Sequence, residues 1–258
     1  MKLRLVFAGI AVAGMLAACG HSGHGKEMRA APDMSVQIAA AIAATDRPEA
    51  DVKRDEARRP APMLEFSTIQ TGDVVADLGA GGGYFSRLLS TLVGPDGTVL
   101  VQNPPIWLEK YGKFFKPGLK KLRADRTNIT FLTVGIDDLQ FEVNSLDAVT
   151  MMLIYHDVVL LPADRVAMNA QIYAALKSDG VLLITDHHAV DGSGEAAADP
   201  LHRIDANMVL AEVEAAGFVL DAQSDALHFA DDDHTINVFQ PEIRGKTDRF
   251  VYRFRKAK

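Results

Sequence analysis

Two groups of residues in this chain have side chains that could do chemistry. The first is polar and titratable: Tyr155-His156-Asp157, Asp186-His187-His188 and His202. Histidine accepts a proton near neutral pH, so His156 and Asp157 are the candidates for removing a proton from a hydroxyl or amine. Histidine with carboxylate also suits a divalent metal, and His187, His188 and His202 are the candidate ligands. No spacing among them specifies a metal by itself. A lone loop histidine more often only hydrogen-bonds, and His228 and His234 are read that way. The second group is Asp77-Leu78-Gly79-Ala80-Gly81-Gly82-Gly83, a glycine cluster that no regular element would choose.

The elements around these groups can be read from pattern. Val74-Val75-Ala76 is an apolar, valine-rich run that reads as a buried strand. After the glycines, Phe85, Leu88, Leu89 and Leu92 recur at helical spacing. A strand, a glycine turn and a helix, in that order, suit a nucleotide-like ligand. The glycines let backbone come close to it, and the helix start offers unpaired N–H groups. The spacing excludes two common versions. A dinucleotide fingerprint needs glycine at the sixth position, where Tyr84 stands, and no Gly-Lys-Ser/Thr ends the turn.

The remaining strands are expected at 98–102, 129–134, 145–153, 180–185, 218–222 and 249–254. Helices are expected at 106–123, with breaks at Gly112 and Pro117-Gly118, and at 162–177 and 205–216. Ahead of the first strand, Met34–Ala44, Pro48–Arg58 and Met63–Ile69 read as a helical extension, with Pro60 and Pro62 breaking the pattern. Lys53, Arg54, Arg58 and Arg59 there either cover a pocket or face water. Five strand–helix units followed by two late strands imply an α/β fold with a doubly wound, mostly parallel, seven-stranded sheet. Ligands in such sheets lie beyond the carboxyl ends of the strands, where both chemical groups fall.

The run Asp77-x-Gly79-x-Gly81-x-Gly83 resembles the first motif of class I S-adenosylmethionine (SAM) methyltransferases, whose fold is Rossmann-like. The resemblance spans about residues 60–255. It implies that Gly79, Gly81 and Gly83 pass under SAM and that Asp77 contacts the ligand or orders the loop. At the end of the second strand the family usually holds the ribose diol with an acid. Here Asn103 stands in that place, beside Gln102. A charged acceptor bond is worth roughly 1.5–3 kcal/mol against about 1 for a neutral one. SAM would then bind more weakly, other residues would compensate, or the ligand differs. Asp137, after the third strand, matches the acid that lies near the adenine amino group. Further features look like a group of exported methyltransferase-like lipoproteins: Arg54-Asp55, Asn103-Pro104-Pro105, Tyr155-His156-Asp157, His202-Arg203-Ile204-Asp205 and Gly245 to Phe250.

The beginning of the chain agrees with export. Lys2 and Arg4 precede an apolar run, Leu5 to Leu16, too short to span a bilayer comfortably. Leu16-Ala17-Ala18-Cys19 resembles a lipobox, which implies removal of residues 1–18 and lipidation of Cys19, the chain's single cysteine. The alternative is an ordinary signal cut near Ala18. Residues 19–33 read as a flexible tether, and 34–258 as one domain. The expected location is the periplasm, anchored by lipid to an envelope membrane. Gly20, in place of a retaining aspartate, points to the outer membrane where the cell has one. Losing Lys2 and Arg4 moves the net charge from −7 to −9, a balance that disfavours nucleic-acid partners. The expected activity is methyl transfer from SAM to a small molecule. The alternatives are a non-catalytic binding protein and a metal-dependent enzyme on the same fold.

Overall fold

The structure is a computed structural model and describes residues 33–257. The expected export signal, Cys19 and the tether up to residue 32 lie outside the described residues. Among those described, no helix is long and apolar enough to cross a membrane.

Four helices come first: α1 (Met34–Ala43), α2 (Glu49–Val52), α3 (Asp55–Arg58) and α4 (Pro60–Ser67). Pro60 opens α4 rather than breaking it, because the first helical position needs no N–H donor. The sheet units follow: β1 (Val74–Leu78), α5 (Tyr84–Val93), β2 (Thr98–Gln102), α6 (Pro105–Lys110), α7 (Gly112–Asp125) and β3 (Ile129–Leu132). Then come β4 (Leu146–Met152), α8 (Tyr155–Val159), α9 (Arg165–Ala175), β5 (Leu176–His187), α10 (Ala198–Leu201), α11 (Ala206–Ala215), β6 (Phe218–Gln223) and β7 (Arg249–Lys256).

The strands form one seven-stranded sheet in the order β3-β2-β1-β4-β5-β7-β6. The first five are parallel, and β7 runs antiparallel to both β5 and β6. Helices cover both faces, so strand residues of either parity are buried. Val75, Val99 and Ala148 join the core under α5, while Ala76, Leu78, Val149 and Met151 join the opposite one. That alternation is the period-two rule of a strand.

Two expectations fail in instructive ways. The chain breaks at Tyr111 between α6 and α7, but α7 continues through Pro117-Gly118. A proline inside a helix costs about 3 kcal/mol. The offset comes from tertiary contact: Leu122 packs in the core, and Gly118 lies so close to the Gly82 carbonyl that a Cβ there would fall 2.4 Å from its oxygen. Strand β5 also starts earlier than expected, at Leu176 rather than Gly180.

Candidate active site

β1 ends in the glycine loop, and the loop ends in α5. Gly79, Gly81 and Gly83 have φ values of +59°, +57° and +85°, left-handed conformations that a side chain strains. Asp77 is 1% exposed. Its carboxylate accepts from Ser86 Oγ at 2.5 Å and from Thr150 Oγ1 at 2.8 Å. Burial lifts its pKa to about 6, against those two hydrogen bonds, which lower it. These bonds tie β1 to α5 and β4.

Both polar atoms of the Asn103 amide bond the glycine loop. Its Oδ1 accepts from the Gly81 N–H at 2.8 Å, and its Nδ2 donates to the Gly81 carbonyl at 3.2 Å. Gln102 acts alongside, accepting from the Gly79 N–H at 3.0 Å and donating to the Val134 carbonyl at 2.8 Å. A carboxylate at 103 could accept from Gly81 but would face the Gly81 oxygen with no proton to give. The amide therefore suits a clamp on the loop. Asp137 is likewise occupied elsewhere, accepting from the Asp164 N–H at 2.9 Å at the start of α9.

The loop is roofed by the chain itself. A Cβ on Gly79 would fall 2.7 Å from Trp107 Cζ3 and 2.8 Å from Ile154 Cδ1, and one on Gly81 would fall 3.4 Å from the Phe115 ring. These neighbours are all ends of side chains. A Cβ on Gly83 would meet Leu122 Cδ2 at 2.7 Å, so this glycine makes room for α7. Gly79 and Gly81 thus form a cradle whose filling is movable. That cradle fits SAM in its chemistry, on condition that Trp107 and Phe115 swing away.

The histidine group lies at the carboxyl edge of β4 and β5. His156, 4% exposed, places Nδ1 2.7 Å from Asp186 Oδ1. Asp186, fully buried, also accepts from the backbone N–H groups of His156 and His187, at 2.9 and 2.7 Å. Burial opposes protonation of His156, but the Asp186 charge and hydrogen bond outweigh it and hold the ring above the usual range. His156 Nε2 turns toward Asp157 Oδ2, 3.5 Å away, and the His202 ring stands edge-on to His156 at 5.5 Å.

The expected metal set is not brought together. Successive residues at the end of β5 point to opposite faces, so His187 and His188 diverge. His187 Nδ1 lies 2.8 Å from Thr247 Oγ1, and its pKa is pushed well below the usual value, first by burial and then by the positive charge of neighbours beginning with His156. His188 Nδ1 lies 2.6 Å from the Ala189 carbonyl, with its ring stacked on His234. Only His202 of the three joins His156 and Asp157. Strand alternation was the signal that could have separated His187 from His188.

Sequence reasoning left Arg249 unassigned and had Arg58 either covering a pocket or facing water. Both border a small cavity with Tyr84, Met152, Leu153 and Thr185 at the same sheet edge. Burial lowers each to about 10, with further lowering by Arg54 for Arg58 and by Arg58 for Arg249. Among the described residues, Arg249 donates to three carbonyls, those of Thr247, Ala57 and Gly245.

Residues 76–184, from β1 through β5, match the family model Methyltransf_11, described as a methyltransferase domain. Over that stretch the chain is similar to a methyltransferase domain. The match takes in the glycine loop, its roof and His156, and ends just before Asp186. No curated protein matches the chain in sequence. Among solved structures, the domain is similar to a SAM-dependent methyltransferase from Aquifex aeolicus: 17% identity, TM-score 0.57, covering 87% of this chain and 99% of that one. A SAM-dependent methyltransferase from Mesorhizobium loti gives 18% identity and a TM-score of 0.54, over 76% and 97% of the two chains. An arsenic(III) S-adenosylmethionine methyltransferase from Chlamydomonas reinhardtii gives 18% and 0.51, over 86% and 73%. At these identities the likeness is one of fold, and the fold is that of SAM-dependent methyltransferases.

Proposed function

We propose that the protein is a SAM-dependent methyltransferase acting on a small molecule outside the cytoplasm. One observation carries this reading: a left-handed, Cβ-free cradle at the carboxyl end of β1, where the strand order turns from β2 on one side to β4 on the other. Bound there, SAM supplies an electrophilic methyl group. Gly79 and Gly81 are the residues that would hold it. Ile154, apolar and buried, excludes water from that side of the loop, and Trp107 gives way to the ligand. Asp186 fixes the tautomer of His156 so that Nε2 faces Asp157, and this group can hold or take a proton of the acceptor at Nε2. Asp186 is itself held by two backbone N–H groups, which favours catalysis by orientation.

Export rests on Lys2, Arg4, the apolar run to Leu16 and Leu16-Ala17-Ala18-Cys19. In this reading Cys19 carries lipid and the domain works at an envelope membrane. Radiolabelled palmitate should enter the wild-type protein and not Cys19→Ser; label in both would remove the anchor from the proposal.

Calorimetric titration with SAM and with S-adenosylhomocysteine tests the enzyme reading. Binding in the micromolar range is expected. A folded protein that binds neither would leave the domain a fold reused for another ligand.

A further inference from the structure

We propose that His156, Asp157 and His202 form a binding site for a divalent first-row transition-metal ion, with zinc the first to test. The three side chains meet from two elements. His156 and Asp157 lie in the first turn of α8, and His202 follows α10. One ligand atom from each lies within 4.8 Å of the others. Asp157 stands between: its Oδ2 is 3.5 Å from His156 Nε2, and its Oδ1 is 3.7 Å from His202 Nδ1. Both separations are long for hydrogen bonds. They are close to the spacing of about 3.4 Å between two ligand atoms bonded to one tetrahedral ion at about 2.0–2.1 Å.

Two independent observations point to a ligand here. The Nδ1 atom of His202 is buried and has no hydrogen-bond partner among the described residues. A buried imidazole nitrogen 3.7 Å from a carboxylate oxygen, too far for a hydrogen bond, leaves room for a cation between them. The second is the support behind His156. Asp186 already accepts two backbone N–H groups and holds Nδ1, which leaves the Nε2 lone pair directed at Asp157. A carboxylate behind an imidazole is the usual support of a metal-ligating histidine. His202 is also held at φ +53°, a conformation uncommon for a residue with a side chain.

Two imidazoles and one carboxylate suit Zn²⁺, Fe²⁺, Co²⁺ or Mn²⁺ and do not suit Mg²⁺ or Ca²⁺, which prefer all-oxygen sites. Three protein ligands leave a coordination position open, where an oxygen of an acceptor would be polarised. With the ion bound, His156 is a ligand, and the ion rather than the imidazole acts on that oxygen. The site goes beyond the methyltransferase reading and does not require SAM.

The test uses the full chain, stripped with a chelator, titrated by calorimetry with zinc chloride and followed with Co²⁺ by visible absorption. One equivalent should bind at micromolar or tighter affinity, with d–d bands from Co²⁺ and no response to magnesium chloride. Asp157→Asn keeps the side-chain shape, and His202→Gly suits the left-handed backbone, so both should melt like the wild type. Each should weaken zinc binding at least ten-fold, while His188→Ala should leave it unchanged. No zinc binding by the wild type, or unchanged binding in both variants, overturns the proposal. Parallel titration with SAM keeps the two readings apart. Zinc binding without SAM binding leaves the metal site standing and removes the methyltransferase reading, and the reverse result removes the metal site alone.

Discussion

Asp77 is a carboxyl group that the fold prefers protonated. Its folded pKa, about 6, lies above its ordinary value of 3.8. The folded state therefore binds its proton more tightly than the unfolded chain, and its contribution to stability falls as pH rises from about 4 to about 6, then levels. Two units correspond to about 3 kcal/mol. Asp77→Asn removes this dependence, since Ser86 and Thr150 can turn their hydroxyls to an amide. The stability of Asp77→Asn minus that of the wild type, from urea unfolding, should climb by up to about 3 kcal/mol between pH 4 and 7. A flat difference would mean that Asp77 stays ionised. Asn103 makes the opposite case, in which an amide is required. Asn103→Asp loses the donor to Gly81 and sets a charge beside its carbonyl. A loss of about 1–3 kcal/mol is expected in the same experiment at pH 7. Sequence placed both residues at the loop but not their duties. Which way a carboxamide turns depends on where the Gly81 and Val134 carbonyls lie, and that is set by three-dimensional contact.

At the scale of elements, the strands, the glycine turn and α5 were legible, because valine-rich runs and helical spacing of leucines report burial directly. What escaped was decided by packing between elements. Pro117-Gly118 reads as a helix break, yet α7 runs through it because Gly118 lets the helix sit on the Gly82 carbonyl. The histidines were legible as a set and not as a site, since α10 and α8 had to meet before His202 could face Asp157. The roof yields a direct prediction. Trp107, in the six-residue α6, is the chain's single tryptophan. A ligand entering the Gly79 cradle must move it from a site where it is 6% exposed. Saturating SAM should shift or quench the intrinsic emission, and Trp107→Phe should abolish the signal while retaining binding. SAM binding by calorimetry with unchanged Trp107 emission would place the ligand elsewhere.

For the whole molecule, the sheet depends on its last strand. β7 lies inside the sheet, paired with β5 over seven residues from Val181 to His187 and with β6 on its other side. It also brings Phe254, buried in the main core, and Arg249, whose NH1 donates to the Ala57 carbonyl of the helical extension at 2.8 Å. Deleting residues 249–258 would strip β5 of a neighbour and leave β6 unpaired. The expected result is loss of a cooperative thermal transition by circular dichroism, although the segment lies outside the matched methyltransferase region. A truncated chain that melts like the full one would show β7 to be dispensable.

Arg87, buried on α5, bonds Asp46 at 2.7 Å, before α2, and Asp125 at 2.8 Å, at the end of α7. Arg126 holds Asp46 as well, at 2.9 Å. These ion pairs form a mechanical linkage. Tension applied to the chain at residue 33 travels through the helical extension to the foot of the helix that roofs the glycine loop. A pull on that end would load α5, which follows the glycine loop, and α7, which covers it, together.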